Sequence, residues 1–484
     1  VSSLAGTKAR GSLEPWVKDE VAYYPHQIDG IRELARRQSF LLADDMGLGK
    51  SLQALTIFAL DVFQGYGSTA LVICPVTLKG NWADEIEKFT RIQYVVLNGT
   101  PAQRNRQLIE FAELEGPKIL IVNYEQVVAH LQALDALRFD VAIFDEAHYL
   151  KNHKAKRTKA CLDLYSRRSF MLTGTPMLNH IDELWSILHR IEPRGYPKYW
   201  SFVNRYAVFG GWKDKQIIGV QNEKELTERL QGVMLRRLKQ DVLDLPEVQI
   251  IERRVDLLPE QRKLYDEVVN EMRLPRPDDA DDEDIENALT KFLRLKQICG
   301  TTLPFTGTDL SAKLDLAIED DIELLKNGEK IVVFTQFRDV QAAYVQRMKS
   351  ANPDYPVWQL HGDVEIPTRQ PLVNDWAKYE GPAVLCCMIQ VAGIGLNMVA
   401  ARHGSFLDEL FVPGLNQQAI DRLHRIGQDE TQPVQIRKYI CRNTIENRVQ
   451  QILRTKSKLF GEIVESDPHW KKKLYAALME DEAA

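Results

Sequence analysis

The stretch Ala43-Asp44-Asp45-Met46-Gly47-Leu48-Gly49-Lys50-Ser51 limits the fold of this chain more than any other segment. The apolar run Phe40-Leu41-Leu42 precedes it, and Leu52, Leu55, Ala59 and Val62 share one face of a helical pattern after it. Strand, glycine-bearing loop, Lys-Ser and helix come in the order that a phosphate-binding loop requires. Gly47 and Gly49 let the backbone curl so that its amides face a phosphate at the positive end of the helix. Lys50 would reach the β- and γ-phosphates of a nucleotide, and Ser51 would hold Mg²⁺. One position departs from the pattern, because Asp44 stands where its opening Gly is usual. A glycine-rich turn before a surface helix is the plain alternative, and the motifs further along argue against it.

Short apolar runs alternate with helical segments on both sides of this loop. Leu71-Val72-Ile73-Cys74 ends at Pro75, Ile119-Leu120-Ile121-Val122 at Asn123, and Val141-Ala142-Ile143-Phe144 at Asp145. Such alternation predicts a mostly parallel sheet covered by helices, with ligands at the carboxyl ends of its strands. Upstream, Tyr23-Tyr24-Pro25-His26-Gln27 opens a helix through Ile28, Ile31 and Leu34. Gln27 is expected to read an adenine edge, since a carboxamide both donates and accepts.

Asp145-Glu146-Ala147-His148 is the second anchor, a DEAH box. An Asp ending an apolar strand supplies a Mg²⁺ contact, and the Glu after it can polarise an attacking water. An acidic strand end that caps a helix is the alternative, preferred only if the phosphate loop were missing. Leu172-Thr173-Gly174-Thr175-Pro176 follows the strand candidate Ser169-Phe170-Met171. Thr173 and Thr175 could sense the γ-phosphate, and a plain turn is the alternative.

From about 180 to 310 the helical stretches lengthen. Met234-Leu235-Arg236-Arg237-Leu238-Lys239 is a basic cluster, either a solvated helix face or a patch that grips a nucleic-acid backbone. Asp278-Asp279-Ala280-Asp281-Asp282-Glu283-Asp284 is read as a solvated loop or a short disordered insert, with no function assigned. Alternation resumes at Ile331-Val332-Val333-Phe334-Thr335-Gln336, then at Val357-Trp358-Gln359-Leu360-His361-Gly362 and Ala383-Val384-Leu385-Cys386-Cys387. This second α/β lobe has no phosphate loop. It carries Ala392-Gly393-Ile394-Gly395-Leu396-Asn397, and then Gln418 through Gln428 with Arg422 and Arg425 three apart, on one face if helical. Two such arginines suit arginine fingers, and an Arg-rich surface helix is the alternative.

Bulk composition bounds the remaining choices. A chain of 484 residues exceeds one ordinary core, so two or more domains are expected. No apolar run is long enough to span a bilayer, and the residues after Val1 lack a secretory h-region. The first residue is not Met, so a processed chain or a fragment is expected. A net charge of −6 excludes a generally basic nucleic-acid binder but leaves room for a local basic groove. The six cysteines form no CxxC pair, which favours a reducing intracellular compartment (cytoplasm, nucleoid or nucleus) over a zinc or disulfide framework.

Taken together, these motifs resemble the Swi/Snf-type branch of the superfamily-two helicase-like ATPases. The matching residues are Asp44–Ser51, Pro75-Val76-Thr77-Leu78-Lys79-Gly80-Asn81-Trp82 with Glu85, Asp145–His148, Leu172–Asn179, Met234–Lys239, Gly393–Asn397 and Gln418–Gln428. They occur in family order from about residue 22 to 450, and the compact inserts look more like the annealing-helicase (HepA-related) or bacterial and phage members than the large remodellers. The resemblance implies an α/β fold of two RecA-like lobes, parallel sheets covered by helices, with helical protrusions between them. It implies ATP with Mg²⁺ in the cleft and double-stranded DNA across both lobes. Carried onto this chain, ATP is bound by Gln27, Asp45, Met46, Gly47, Leu48, Gly49, Lys50, Ser51 and Gly395. Catalysis falls to Lys50, Asp145, Glu146, Arg422 and Arg425, Mg²⁺ to Ser51 and Asp145, and coupling to His148, Thr173, Thr175 and Gln418. Lys79, Asn81, Trp82, Asn123, Gln336 and Asn397 lie in motifs that contact the DNA backbone. In one departure, the family's Trp-Asn-Pro before the last motif is replaced by Phe411-Val412-Pro413-Gly414.

The expected organisation is a flexible lead-in (1–20), lobe 1 (21–190), protrusions and linker (191–310), lobe 2 (311–445) and a C-terminal helical brace (446–484). The expected function is a DNA-stimulated ATPase that moves along duplex DNA. The rivals are a strand-separating or annealing helicase on forked or single-stranded DNA, an ATP-gated clamp that recruits a protein partner, and the motor part of a larger assembly. No membrane partner is expected.

Overall fold

The structure, a computed structural model, describes residues 16–174, 181–210, 216–243, 246–271, 282–392, 396–411, 413–425, 428 and 432–455. It divides into two compact units, Val1–Leu243 and Asp244–Ala484.

The first unit is built on strands β1 (Ser39–Leu42), β2 (Thr69–Cys74), β3 (Gln93–Val96), β4 (Lys118–Asn123), β5 (Phe139–Asp145) and β6 (Ser166–Leu172). A hairpin of β7 (Ala207–Gly210) and β8 (Gln216–Val220) stands apart, and the two-residue β9 (Met234–Leu235) rejoins the sheet. The strand order is β3-β4-β2-β5-β6-β1-β9, and every neighbouring pair is parallel. A parallel sheet is covered on both faces, so its strands read as unbroken apolar runs. Successive side chains still alternate between two cores. Leu71 and Ile73 pack with Leu120, Val122, Ala142 and Phe144, while Ala70, Val72 and Cys74 pack with Ile119, Ile121, Val141 and Ile143.

Three helices frame the carboxyl end of this sheet: α1 (Pro25–Arg36), α2 (Lys50–Phe63) and α3 (Lys79–Phe89). Pro25 opens α1, where its missing N–H costs nothing, and the Gln27 side chain accepts from Tyr24 N at 3.0 Å. Gly49, in the left-handed region at φ +76°, is the residue before α2.

Met234–Lys239 is not the continuous helix face that is one of its two expected forms. Residues Met234 and Leu235 extend the sheet beside β1, paired with Leu41 and Leu42. Likewise, the segment expected to hold only protrusions and linker supplies a strand to each unit, β9 to the first and β10 (Val248–Val255) to the second. The apolar character of Met234-Leu235, masked in the sequence by the charges around it, suits a sheet edge.

The second unit holds β10, β11 (Lys330–Thr335), β12 (Val357–Leu360), β13 (Ala383–Met388), β14 (His403–Phe406) and β15 (Val434–Cys441). Their order is β10-β15-β14-β11-β13-β12, again parallel throughout. The α/β class expected for both lobes is therefore observed directly. All six cysteines are free and buried. Among the described residues no helix is long and apolar enough to cross a membrane. The acidic run falls partly outside the described residues, and from Asp282 it is helix rather than loop. The brace is described only as far as the helix Ile445–Thr455.

Candidate nucleotide-binding site

Strand register brings the first unit's motifs together. Leu172, at the end of β6, is the partner of both Leu42 and Asp145, and Leu42 is also the partner of Leu235. The residues that follow these strand ends therefore crowd one edge of the sheet: the phosphate loop after β1, the acidic pair at β5 and Thr173 after β6.

In the loop, Gly47 and Gly49 have φ of +85° and +76°, which other residues adopt only at a cost. A side chain at Gly49 would overlap the amide of Gln27. Gln27 is 3% exposed, and its Nε2 donates to Leu48 O at 3.3 Å. A carboxamide has two N–H groups and two oxygen lone pairs, so these bonds do not exhaust it. Lys50 Nζ lies along the loop, donating to the carbonyls of Asp44 at 2.8 Å and Asp45 at 3.1 Å. Leu48 is buried, and Met46 meets the β6 loop, since a Cβ on Gly174 would stand 2.9 Å from its Cγ. Ser51 is the second residue of α2 and half-buried.

The acidic pair is held from several sides. Asp145 Oδ2 accepts from Trp82 Nε1 at 2.8 Å, Oδ1 accepts from Glu146 N at 3.0 Å, and its carbonyl accepts from Tyr124 Oη at 2.7 Å. Burial, and then the neighbouring Glu146 charge, push the Asp145 carboxyl up to about 7, against the Trp82 bond and the Lys50 ammonium. Glu146 sits in the left-handed region at φ +49°, unusual for a non-glycine residue. Its carboxylate lies 3.2 Å from His148 Nδ1, which is also 3.3 Å from Thr173 Oγ1. Glu146, His148 and Thr173 thus form a short polar line from β5 to β6.

Two residues expected on DNA point inward instead. Trp82 is 2% exposed and anchors α3 to Asp145. Lys79 is 4% exposed, its Nζ donating to Leu97 O and to Gln126 Oε1, and burial lowers its ammonium to about 8. Both stand on the apolar face of α3, which the motif's polar look conceals. Asn123 caps the helix Tyr124–Ala136, its Oδ1 accepting from Gln126 N at 2.8 Å. Asn81 is half-buried.

In the second unit, Gln336 N donates to Asp408 Oδ1 at 3.0 Å beyond the end of β11. Asn397 is exposed, and the next amide, Met398 N, donates to Arg422 O at 3.1 Å, so these two motifs adjoin. The helix that carries Gln418 ends at Ile420. Arg422 and Arg425 consequently lie in the turns beyond it, both half-buried, and not on a helix face. Thr175 and Gly395 lie outside the described residues.

The sequence reading missed how Asp44 is used. Its fully buried carboxylate accepts from Arg237 Nε at 2.9 Å and from Arg237 Nη2. The absence of the usual Gly at that position was the available signal.

The pattern of the SNF2-related domain matches residues 26–302, and that of the helicase conserved C-terminal domain matches residues 314–427. The chain belongs to the SNF2-related family. It is similar to the uncharacterized ATP-dependent helicase MG018 of Mycoplasma genitalium, 30% identical over 460 residues, which cover 93% of this chain and 43% of that protein. The DNA annealing helicase and endonuclease ZRANB3 of Mus musculus is 28% identical over 461 residues, 90% of this chain and 40% of that one. This SNF2-related chain thus spans less than half the length of these curated relatives. Among solved structures, the Sulfolobus solfataricus SWI2/SNF2 ATPase core in complex with dsDNA is 27% identical with a TM-score of 0.44, covering 96% of this chain and 97% of that one.

Proposed function

We propose that this chain hydrolyses ATP and couples that hydrolysis to movement along double-stranded DNA. The observation that carries the reading is the convergence of the phosphate loop, Asp145-Glu146 and Thr173 at the carboxyl ends of β1, β5 and β6. In this reading the loop amides and Lys50 bind the β- and γ-phosphates, and Gln27 meets the adenine. Glu146 orients the attacking water and takes its proton, while His148 carries the state of the Glu146 carboxylate to Thr173. Arg422 and Arg425 serve as fingers for the charge that develops on the γ-phosphoryl group. Mg²⁺ fits the donors present: the Ser51 hydroxyl and the Asp145 carboxyl are hard oxygen ligands, and a buried carboxyl crowded by a second one suits a cation. Held there, it would neutralise phosphate charge.

Membership in the SNF2-related family supports duplex DNA as the track, and ZRANB3, a relative over 90% of this chain, is by name a helicase that acts on DNA. Contacts to backbone rather than to bases suit a motor that must pass over any sequence.

The test is ATP turnover without nucleic acid and with blunt duplex DNA, single strands, a fork and duplex RNA, at two salt concentrations. Strong stimulation by blunt duplex, weakened by salt, is expected. Lys50→Ala and Glu146→Gln should each abolish turnover. A preference for the fork or single strand would replace translocation with unwinding or annealing, and no turnover under any condition would refute the enzyme.

A further inference from the structure

Asp44 departs from the phosphate-loop pattern, and Arg237 lies in a basic cluster to which the proposed function assigns nothing. They meet in the interior of the first unit. Arg237 Nε donates to Asp44 Oδ1 at 2.9 Å and Nη2 to Asp44 Oδ2, a two-pronged pair whose carboxylate is fully buried. The same guanidinium donates to His26 O on α1 and to Gln53 Oε1 on α2 at 3.1 Å. Gln53 Nε2 in turn donates to Leu48 O and Gly49 O, each at 3.3 Å. The backbone adds three bonds: Ala43 N to Leu235 O at 2.7 Å, Asp45 N to Arg237 O at 3.0 Å, and Lys239 N to Asp45 Oδ2 at 3.1 Å. The junction has no slack, since a Cβ on Gly30 of α1 would overlap Gln53 Oε1 and stand 2.8 Å from Arg237 Nη2.

We propose that Arg237 is a positioning residue for the phosphate loop, holding it through Asp44 and Gln53 in the shape that binds nucleotide. This rests on the ATP reading above. Arg suits the task because its planar fork satisfies a carboxylate with two donors and keeps others for His26 O and Gln53, whereas an ammonium is a compact point charge. Gly at position 44 would leave that fork buried without its counter-charge. Asp44 is therefore the partner that Arg237 requires. Arg237 lies just beyond β9, where the chain runs towards the end of the first unit at Leu243. Nucleotide affinity is thereby tied to the exit segment of the unit.

The test uses the full chain and a fluorescent ADP analogue, with wild type and Lys50→Ala as references. Arg237→Ala and Asp44→Asn should stay folded by circular dichroism yet bind ~10²-fold more weakly, the scale of a small misplacement of binding groups. Arg237→Lys should resemble the alanine variant. A pair that served only stability would lower the melting temperature and leave the affinity of the folded protein unchanged. Affinity within twofold of wild type in either folded variant would overturn the proposal. Should neither variant fold, hydrogen exchange on wild type decides: analogue binding should slow the amides of 234–239 together with those of 43–51, and no slowing at 234–239 would overturn it. Failure of wild type itself to bind would instead remove the ATP reading, and this inference with it.

Discussion

Replacing Trp82 by Phe separates an interior role from a surface one. The indole is 2% exposed and its Nε1 donates to Asp145 Oδ2 at 2.8 Å. Phe keeps most of the apolar burial and loses that donor. A hydrogen bond to a carboxylate contributes about 1.5–3 kcal/mol, and the smaller ring leaves a partial cavity that costs about 1 kcal/mol more. The expected loss is about 3 kcal/mol, or roughly 6–12 °C in the melting temperature of a unit this size. ATP turnover should fall as well, because the carboxyl of the acidic pair loses a fixed partner. Affinity for duplex DNA and its salt dependence should not change, since the indole reaches no solvent-facing groove. Thermal melts and anisotropy titrations at two salt concentrations measure both sides. A variant that melts like wild type but binds DNA more weakly, with a shallower salt slope, would refute the assignment.

Gly49→Ala forces a left-handed alanine, a cost of about 1–2 kcal/mol or roughly tenfold, and displaces the Gln27 amide. Nucleotide titration should show at least that weakening, and wild-type affinity would contradict the loop geometry. Asp321 in the second unit is fully buried, accepts from Ser405 Oγ and Tyr344 Oη at 2.7 Å each, and is pushed by burial from 3.8 up to about 6. The folded state thus binds this proton more tightly than the unfolded one. Its contribution is full below pH 4 and lost as pH rises to about 6, by up to ~3 kcal/mol. Urea midpoints should therefore fall less for Asp321→Asn than for wild type between pH 4 and pH 6, and parallel curves would count against it. Arg425→Ala should lower DNA-stimulated turnover on the order of 10³-fold with DNA binding retained; near-normal turnover would remove the finger assignment.

Much of the fold was legible because a parallel sheet buries both faces of each strand. Leu71–Cys74, Ile119–Val122 and Ile331–Phe334 read as apolar runs, and each is a strand. The phosphate loop and the acidic pair were legible for a local reason, since each is a strand end followed at once by its polar residues. What escaped depends on distant partners. Lys79 and Trp82 look like surface residues in a polar motif, yet the pitch of α3 turns both towards the core. Arg237 reads as one charge among several, because its counter-charge, Asp44, is 193 positions away. The end of the helix at Ile420 was hidden as well, since the spacing of Arg422 and Arg425 suits a continuing helix and a turn alike.

The late arrival of β9 affects how the chain is made. β1 is complete by residue 42, but its neighbour on that side is not translated until residue 235. Until then that side of β1 is open, with Ala43 N and Asp45 N lacking their carbonyl acceptors on Leu235 and Arg237. Such an edge invites pairing with other chains, and a closure between distant segments is slow to form. At ordinary synthesis rates of about 5–20 residues per second, the interval lasts on the order of ten seconds or more. During that interval a nascent chain presents an open edge beside its phosphate loop. A fragment cut just before Met234 would keep that edge permanently and should aggregate, although every residue of the loop itself is present.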